Sequence, residues 1–234
     1  MCGRFCLYSS TDTLAQEIGI PIHCDLEPSH NIAPGDSILN ITLEGREQKR
    51  SIHRSHWGLK TPQNFHINSR IETVDTAPRF REAWENNRAL IPANGFYEWY
   101  QDGLRKQPYY IFPTDYKPLY FGALHYRISE EESTVVLITT SANAIIEPIH
   151  QRMPLLIPKE QHGAWLSGKL SKADAIQSSE QIALEAHTVS SRVNKLIHND
   201  PSLIEKKDPI QDDQLRFFWI RLIAFSAKRL TQTH

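Results

Sequence analysis

The chain opens MCGRF, with a cysteine directly behind the initiator methionine. If Met1 is removed, which a small second residue permits, Cys2 becomes the amino terminus and carries a free α-amine beside its thiol. An α-amino group titrates near pH ~8 and a free thiol at about 8.5, so near neutral pH each supplies some nucleophile. Both can attack one electrophilic carbon. An aldehyde forms an imine with the amine and then accepts the thiolate, closing a five-membered thiazolidine ring that is stable because the second attack is intramolecular. The plain alternative is a small residue in a fraying terminus.

Four other stretches carry residues able to assist such chemistry. "HNIAPGD" holds Asn31, Pro34 and Gly35 in what reads as a rigid turn. In "HINSRIET", Asn68, Arg70 and Glu72 alternate as on one face of a strand. "GFYEWY" sets Glu98 between Tyr97 and Trp99, where desolvation would disfavour the charged carboxylate and tune it as an acid or base. An outward-facing glutamate is the competing reading, because alternation puts Glu98 opposite its neighbours. "IHQRMP" offers His150, Arg152 and Pro154; histidine is the commonest general acid or base but more often a structural hydrogen-bonder.

These residues need elements to position them. Short runs of strand type dominate: "SILNITLE", "RALIPANGFYEWY", "PYYIF", "PLYFGAL", "TVVLITT" and "LEAHTVS". Helical spacing marks "PRFREAWENN" from Pro78 and "PKEQHGAWL" from Pro158, closed by Gly168. Ser171 and Asp174 form a capping box for "SKADAIQSSEQIAL", and Thr13 with Gln16 is expected to do the same for "TDTLAQEI". "GLRKQP" around Gly103 reads as a hairpin tip joining two antiparallel strands. Strands outnumber helices without regular alternation, so the expected class is α+β, with a largely antiparallel, barrel-like sheet core flanked by short helices.

The chain's 234 residues suit one domain with a full core. Lys+Arg and Asp+Glu number 26 and 27, for a formal net charge of -1, so any nucleic-acid binding must come from a local patch. Three cysteines, Cys2, Cys6 and Cys24, give an odd count that argues against a disulfide framework and for a reducing compartment. A zinc site from Cys2, Cys6, His23 and Cys24 is conceivable, but the spacing matches no paired CxxC pattern, and no metal or other cofactor is expected. Arg4 interrupts any apolar leader. The longest apolar stretch, near Leu215 to Phe225, contains Arg216 and Arg221 and falls short of the ~20 residues a membrane helix needs. A monomer in the cytoplasm, nucleoid-associated in a bacterium, is the expectation.

Taken in order, MCGRF, N-x-APG, N-x-R-x-E-T, GFYEW, H-x-R-M-P and "HTVSSRVN" resemble the SOS-response-associated peptidase (SRAP) family, also called abasic site processing proteins. The likeness runs from residue 1 to about 205, leaving an aromatic and basic extension, 206–234, of unknown role. The resemblance implies an enzyme that binds single-stranded DNA and links its amino-terminal cysteine, through a thiazolidine, to the ring-opened aldehyde of an abasic site. Matched to those motifs, Cys2 is the nucleophile, Asn68 positions the sugar, Glu98 acts in acid/base steps and His150 assists ring opening, Schiff-base proton transfers and reversal. Gly3, Arg4, Asn31, Pro34, Arg70, Arg152, Ser190 and Arg192 are the candidate DNA contacts, with Trp57 as a wedge or stacking surface. "LKTPQNFH" after Gly58 is shorter and less aromatic than the family pattern. Two other functions use the same residues: a thiol (auto)peptidase with Cys2 as nucleophile, and a non-catalytic single-strand binding module.

Overall fold

The computed structural model describes residues 2–24, 26–45, 47–103 and 105–209. Strand β1 (Phe5–Leu7) is followed by helix α1 (Thr11–Ile18) and strands β2 (Ser29–Ile32), β3 (Ser37–Glu44), β4 (Lys49–Trp57), β5 (Leu59–Lys60), β6 (Phe65–His66) and β7 (Asn68–Arg70). Helix α2 (Pro78–Asn86) leads into β8 (Arg88–Ala93), β9 (Gly95–Asp102), β10 (Arg105–Pro113), β11 (Leu119–Arg127), β12 (Ser133–Ser141) and β13 (Arg152–Pro154). Helices α3 (His162–Leu166) and α4 (Lys172–Glu180) precede β14 (Leu184–Thr188).

Local chemistry accounts for these boundaries. Pro78 opens α2, where its missing N–H costs no hydrogen bond. Ser171 caps α4 by accepting from the Asp174 N–H. For α1 the cap is Ser10, whose Oγ accepts from Thr13 N at 3.2 Å, so Thr13 lies inside the first turn and does not begin the helix as its spacing to Gln16 suggested. A hydroxyl needs an extended backbone ahead of the turn to reach N–H groups pointing backwards, and Ser10 has it. The hairpin at Gly103 pairs β9 with β10 antiparallel.

Two mostly antiparallel sheets make up the fold. One runs β14-β10-β9-β1-β2. In the other, β11-β8-β3-β4-β12 closes into a ring because β12 also pairs with β11, and β13 and β7 add onto β12. The β12 pairings to β4 and β7 are parallel. The expected α+β class with a barrel-like, largely antiparallel core is thus the observed one.

Alternation along β1 and β9 sorts their side chains onto two faces. Phe5 and Phe96 point inward, where Phe5 packs on Trp57 at 5.3 Å and on Phe121 at 5.6 Å between ring centroids, and Phe96 meets Phe121 at 5.9 Å. Each buried ring contributes roughly 1.5–3 kcal/mol, so this aromatic cluster ties the sheets together beneath the start of β1. Cys6 and Tyr97 point the other way, into a smaller apolar cluster with Tyr110, Val189, Val193 and Leu203. Cys2 belongs to the main core and Cys6 to this outer cluster, which removes the geometry for a zinc site shared between them. Gly95 is required at the strand crossing: a Cβ there would lie 2.6 Å from the Ile111 carbonyl oxygen and 2.5 Å from the Tyr110 ring.

No helix among the described residues is long and apolar enough to cross a membrane. The extension from residue 210 lies outside the described residues.

Candidate active site

Four elements deliver the four residues expected to react. The segment ahead of β1 carries Cys2, β7 begins with Asn68, β9 carries Glu98, and the turn before β13 carries His150. The Tyr97 N–H donates to the Arg4 carbonyl at 2.9 Å, which runs the start of the chain alongside Glu98. Parallel pairing of Asn68 with Leu137 and antiparallel pairing of Arg152 with Ser141 hang β7 and the His150 turn from the two sides of β12.

The side chains converge. Asn68 Nδ2 donates to the Cys2 carbonyl oxygen at 2.8 Å. Asn68 Oδ1 is buried with no hydrogen-bond partner among the described residues, leaving an acceptor for an incoming group. His150 Nδ1 lies 4.0 Å from Glu98 Oε1. Among the described residues no group of histidine, cysteine or carboxylate side chains is arranged to hold a metal ion.

Burial sets the protonation states. Glu98 is 2% exposed, and desolvation pushes its carboxyl up to about 7, so charged and neutral forms coexist near neutral pH. The Cys2 thiol is fully buried; desolvation, with the Glu98 charge adding, drives it well above the ordinary thiol range. Burial also holds the His150 ring below the ordinary histidine value. Nδ1 of His150 lies 3.0 Å from both the backbone N and the backbone O of Arg152. The N–H can only donate and the carbonyl oxygen only accept, so Arg152 engages Nδ1 of the neutral ring in either tautomer.

The other expected contacts divide by what already occupies them. Arg152 makes a two-pronged ion pair with Glu72, 2.5 Å and 3.0 Å, and also donates to the Thr139 carbonyl at 2.7 Å. Glu72 stands in the quoted "HINSRIET" stretch, yet only tertiary pairing reveals it as the partner of Arg152. Arg4 Nη1 donates to Asn31 Oδ1 and to the Val193 carbonyl, both at 2.7 Å. Asn31 is buried and Arg192 is paired with Asp200 at 2.8 Å. Ser190 accepts from the Arg192 N–H at 3.3 Å. Arg70 is exposed, and its guanidinium makes no hydrogen bond or ion pair among the described residues. Gly3 is half-buried beside Cys2, and Pro34 is half-buried in the turn after β2.

Trp57 departs from its expected role. It is 0% exposed, packed on Phe5, with its indole Nε1 donating to the Ile67 carbonyl at 3.0 Å. Its position at the end of β4 turns it inward under β1, so it offers no face to a base. Its backbone instead carries the Pro34 turn: Gly35 N–H donates to the Trp57 carbonyl at 2.8 Å and Trp57 N–H to Asp36 O at 2.9 Å. The half-buried aromatic beside the site is Trp99, whose Nε1 donates to Asn194 Oδ1 at 2.8 Å and whose ring lies 5.1 Å from Lys106 Nζ. Its signal was present in "GFYEWY", directly after Glu98, but the strand pattern alone did not show that its outer face stays accessible.

Comparison with known proteins gives a consistent result. The sequence profile of the SOS response associated peptidase (SRAP) family matches residues 1–196. The chain is similar to the abasic site processing protein YoqW of Bacillus subtilis (strain 168), 34% identical over 224 residues that cover 88% of this chain and 99% of that protein. It is also similar to the abasic site processing protein YedK of Escherichia coli (strain K12), 28% identical over 225 residues, covering 88% and 99%. A crystal structure of a protein from Bacteroides thetaiotaomicron shares the fold at a TM-score of 0.75 and 22% identity, over 88% of this chain and 100% of that one.

Proposed function

The chain belongs to the SOS response associated peptidase (SRAP) family, and from that premise we propose that it processes abasic sites by a covalent link between Cys2 and the lesion aldehyde in single-stranded DNA. The observation that carries this reading is a linked set: the Asn68 amide on the Cys2 carbonyl, a Glu98 carboxyl poised near neutrality that acts on the Cys2 thiol, and the His150 imidazole 4.0 Å from that carboxyl.

In this reading Met1 is first removed and the freed α-amine of Cys2 attacks the aldehyde carbon. Glu98, ionised in part near neutral pH, accepts the proton lost by the attacking amine. The carbinolamine then expels its hydroxyl as water, with the proton supplied by Glu98 or by His150. The buried Cys2 thiol stays protonated until the iminium carbon forms beside it, when the positive charge favours the thiolate. The thiolate forms the C–S bond as the C=N electron pair returns to nitrogen, and the thiol proton replaces the one given up to the departing hydroxyl, so one aldehyde and one cysteine give a thiazolidine and one water. Asn68 fixes the Cys2 backbone by its amide N–H and offers Oδ1 to a sugar hydroxyl. Arg70, exposed at the end of β7, is the open phosphate ligand.

The test is incubation with single-stranded DNA carrying one abasic site, followed by denaturing electrophoresis. A denaturation-resistant adduct is expected from protein whose mass shows Cys2 as the amino terminus. Cys2→Ala abolishes it, and Cys2→Ser leaves at most a reversible imine trapped by borohydride, because no thiol remains to close the ring. Protein that retains Met1 forms none. Adducts of equal yield from wild type and Cys2→Ala would sink the proposal, as would Cys2-dependent turnover of peptides without any DNA adduct.

A further inference from the structure

The turn after β14 presents two adjacent large apolar side chains to solvent, Leu196 and Ile197, 57% and 86% exposed. Single exposed apolar residues are ordinary, but this pair is braced. Asn31 Nδ2 donates to the carbonyls of Lys195 and His198, at 3.2 Å and 2.7 Å, bracketing the tip from below. Arg4 holds the Val193 carbonyl and Trp99 holds the Asn194 side chain. On the far flank Arg192 is tied to Asp200 and Ser202, at 2.8 Å and 2.7 Å. A tip already fixed at both ends loses little conformational entropy when a ligand covers it.

The braces also place it. Arg4 follows Cys2 by two residues and Trp99 follows Glu98 directly, so the tip stands at the rim of the cleft where the reactive groups gather. Trp99 and Glu98 alternate along β9, so the tip is held from the face opposite Glu98, one residue along the strand from the site. Lys195, in the turn itself, is exposed and makes no ion pair among the described residues. An apolar point beside an unpaired cation suits a ligand that alternates flat apolar faces with anionic groups.

We infer that the Leu196–Ile197 tip is an apolar wedge that takes the face of a nucleobase neighbouring the lesion and parts it from the stack, while Lys195 holds a backbone phosphate. This rests on the reading that the substrate is DNA with an abasic site. Apolar side chains inserted at base steps are a general means of unstacking and bending nucleic acid, and here the bend would turn the lesion toward Cys2. Arg4, Asn31 and Arg192, expected from the sequence as direct contacts, then serve as positioning residues for the wedge.

The experiment uses a single-stranded oligonucleotide with a tetrahydrofuran abasic analogue, which has no aldehyde and cannot be linked, flanked on each side by 2-aminopurine. Wild-type protein should brighten the probe as a flanking base unstacks. The double variant Leu196→Ser, Ile197→Ser should lose that brightening and bind about tenfold more weakly, with the slope of log affinity against log salt unchanged because no cation is removed. Lys195→Ala should do the converse, keeping the brightening and lowering the slope by about one. Matching urea midpoints establish that the variants are folded. Unchanged brightening and affinity in the double variant overturn the wedge, as does a wild type that binds the analogue without brightening. A wild type that brightens the analogue yet forms no adduct with aldehyde-bearing DNA sinks the proposed chemistry and leaves the wedge standing.

Discussion

His150 and Glu98 face each other across the cleft at 4.0 Å, Nδ1 to Oε1, one from the turn before β13 and the other from the middle of β9. The carboxyl is 2% exposed and the imidazole 30%, so the acid is sealed in while the ring reaches toward solvent. Burial raises the acid and lowers the base. The pair is therefore held as a neutral acid beside a neutral base over a window below pH 7, instead of as an ion pair. That state keeps a proton donor and a proton acceptor available together, which the imine steps of the proposed reaction require.

The buried carboxyl makes stability depend on pH with a definite sign. Folded Glu98 keeps its proton up to about 7, whereas an unfolded glutamate releases it near its ordinary 4.5. The folded state thus binds more protons across that window, and this contribution to stability, full below the lower value, is lost as pH rises to the upper one. Glu98→Gln has no such proton to lose. The stability of the variant relative to wild type should grow by about 3 kcal/mol between pH 4 and pH 8, read from urea midpoints. Buried His125 and His162, each pushed down to about 4, change the absolute curves in the opposite direction but cancel in the difference. A difference independent of pH would contradict the assignment.

In the proposed reaction Asn68 couples the sugar to the nucleophile. Asn68→Ala removes the donor that fixes the Cys2 carbonyl and the buried acceptor beside it, and should slow single-turnover adduct formation by about tenfold to a hundredfold. Asn68→Asp keeps an acceptor, loses the donor and should also be slow. Full rates in both variants would mean that the amide orients nothing that matters to the reaction.

Trp57 should matter to the fold and not to base stacking. Trp57→Ala empties a site at 0% exposure beneath Phe5 and should cost roughly 3–5 kcal/mol. Trp57→Phe keeps most of the packing, loses the bond to the Ile67 carbonyl and should cost about 1–2 kcal/mol, with DNA affinity held. A large loss of DNA affinity in a stably folded Trp57→Phe protein would restore Trp57 as a contact.

Much of the fold was legible because it rests on local rules. Pro78 and the Ser171 cap mark helix starts through backbone chemistry, and short runs rich in β-branched and aromatic residues mark β3, β9 and β12 as strands. Alternation does not say which of two faces is the inner one. Glu98 illustrates the limit: its pattern fitted an outward glutamate equally well, and the inward position was decided by the pairing of β1 with β9 and by the second sheet closing over them. Trp57 illustrates the reverse, a residue whose type suited a binding surface and whose strand end turned it into the core.

The sequence by itself determined the reagents: an amine and thiol one cleavage away from sharing a residue, an amide, a carboxyl and an imidazole, in an order that named their family. Spacing along the chain could do this because motif order survives without coordinates. Only the tertiary structure decided what those groups are at neutral pH and which cations remain open. Protonation follows from desolvation, and desolvation belongs to the packing of β1, β7, β9 and β13 around one cleft. The arginines follow the same logic: Arg4 and Arg152 are claimed by groups distant in sequence and Arg192 by Asp200, whereas the Arg70 guanidinium makes no hydrogen bond or ion pair among the described residues.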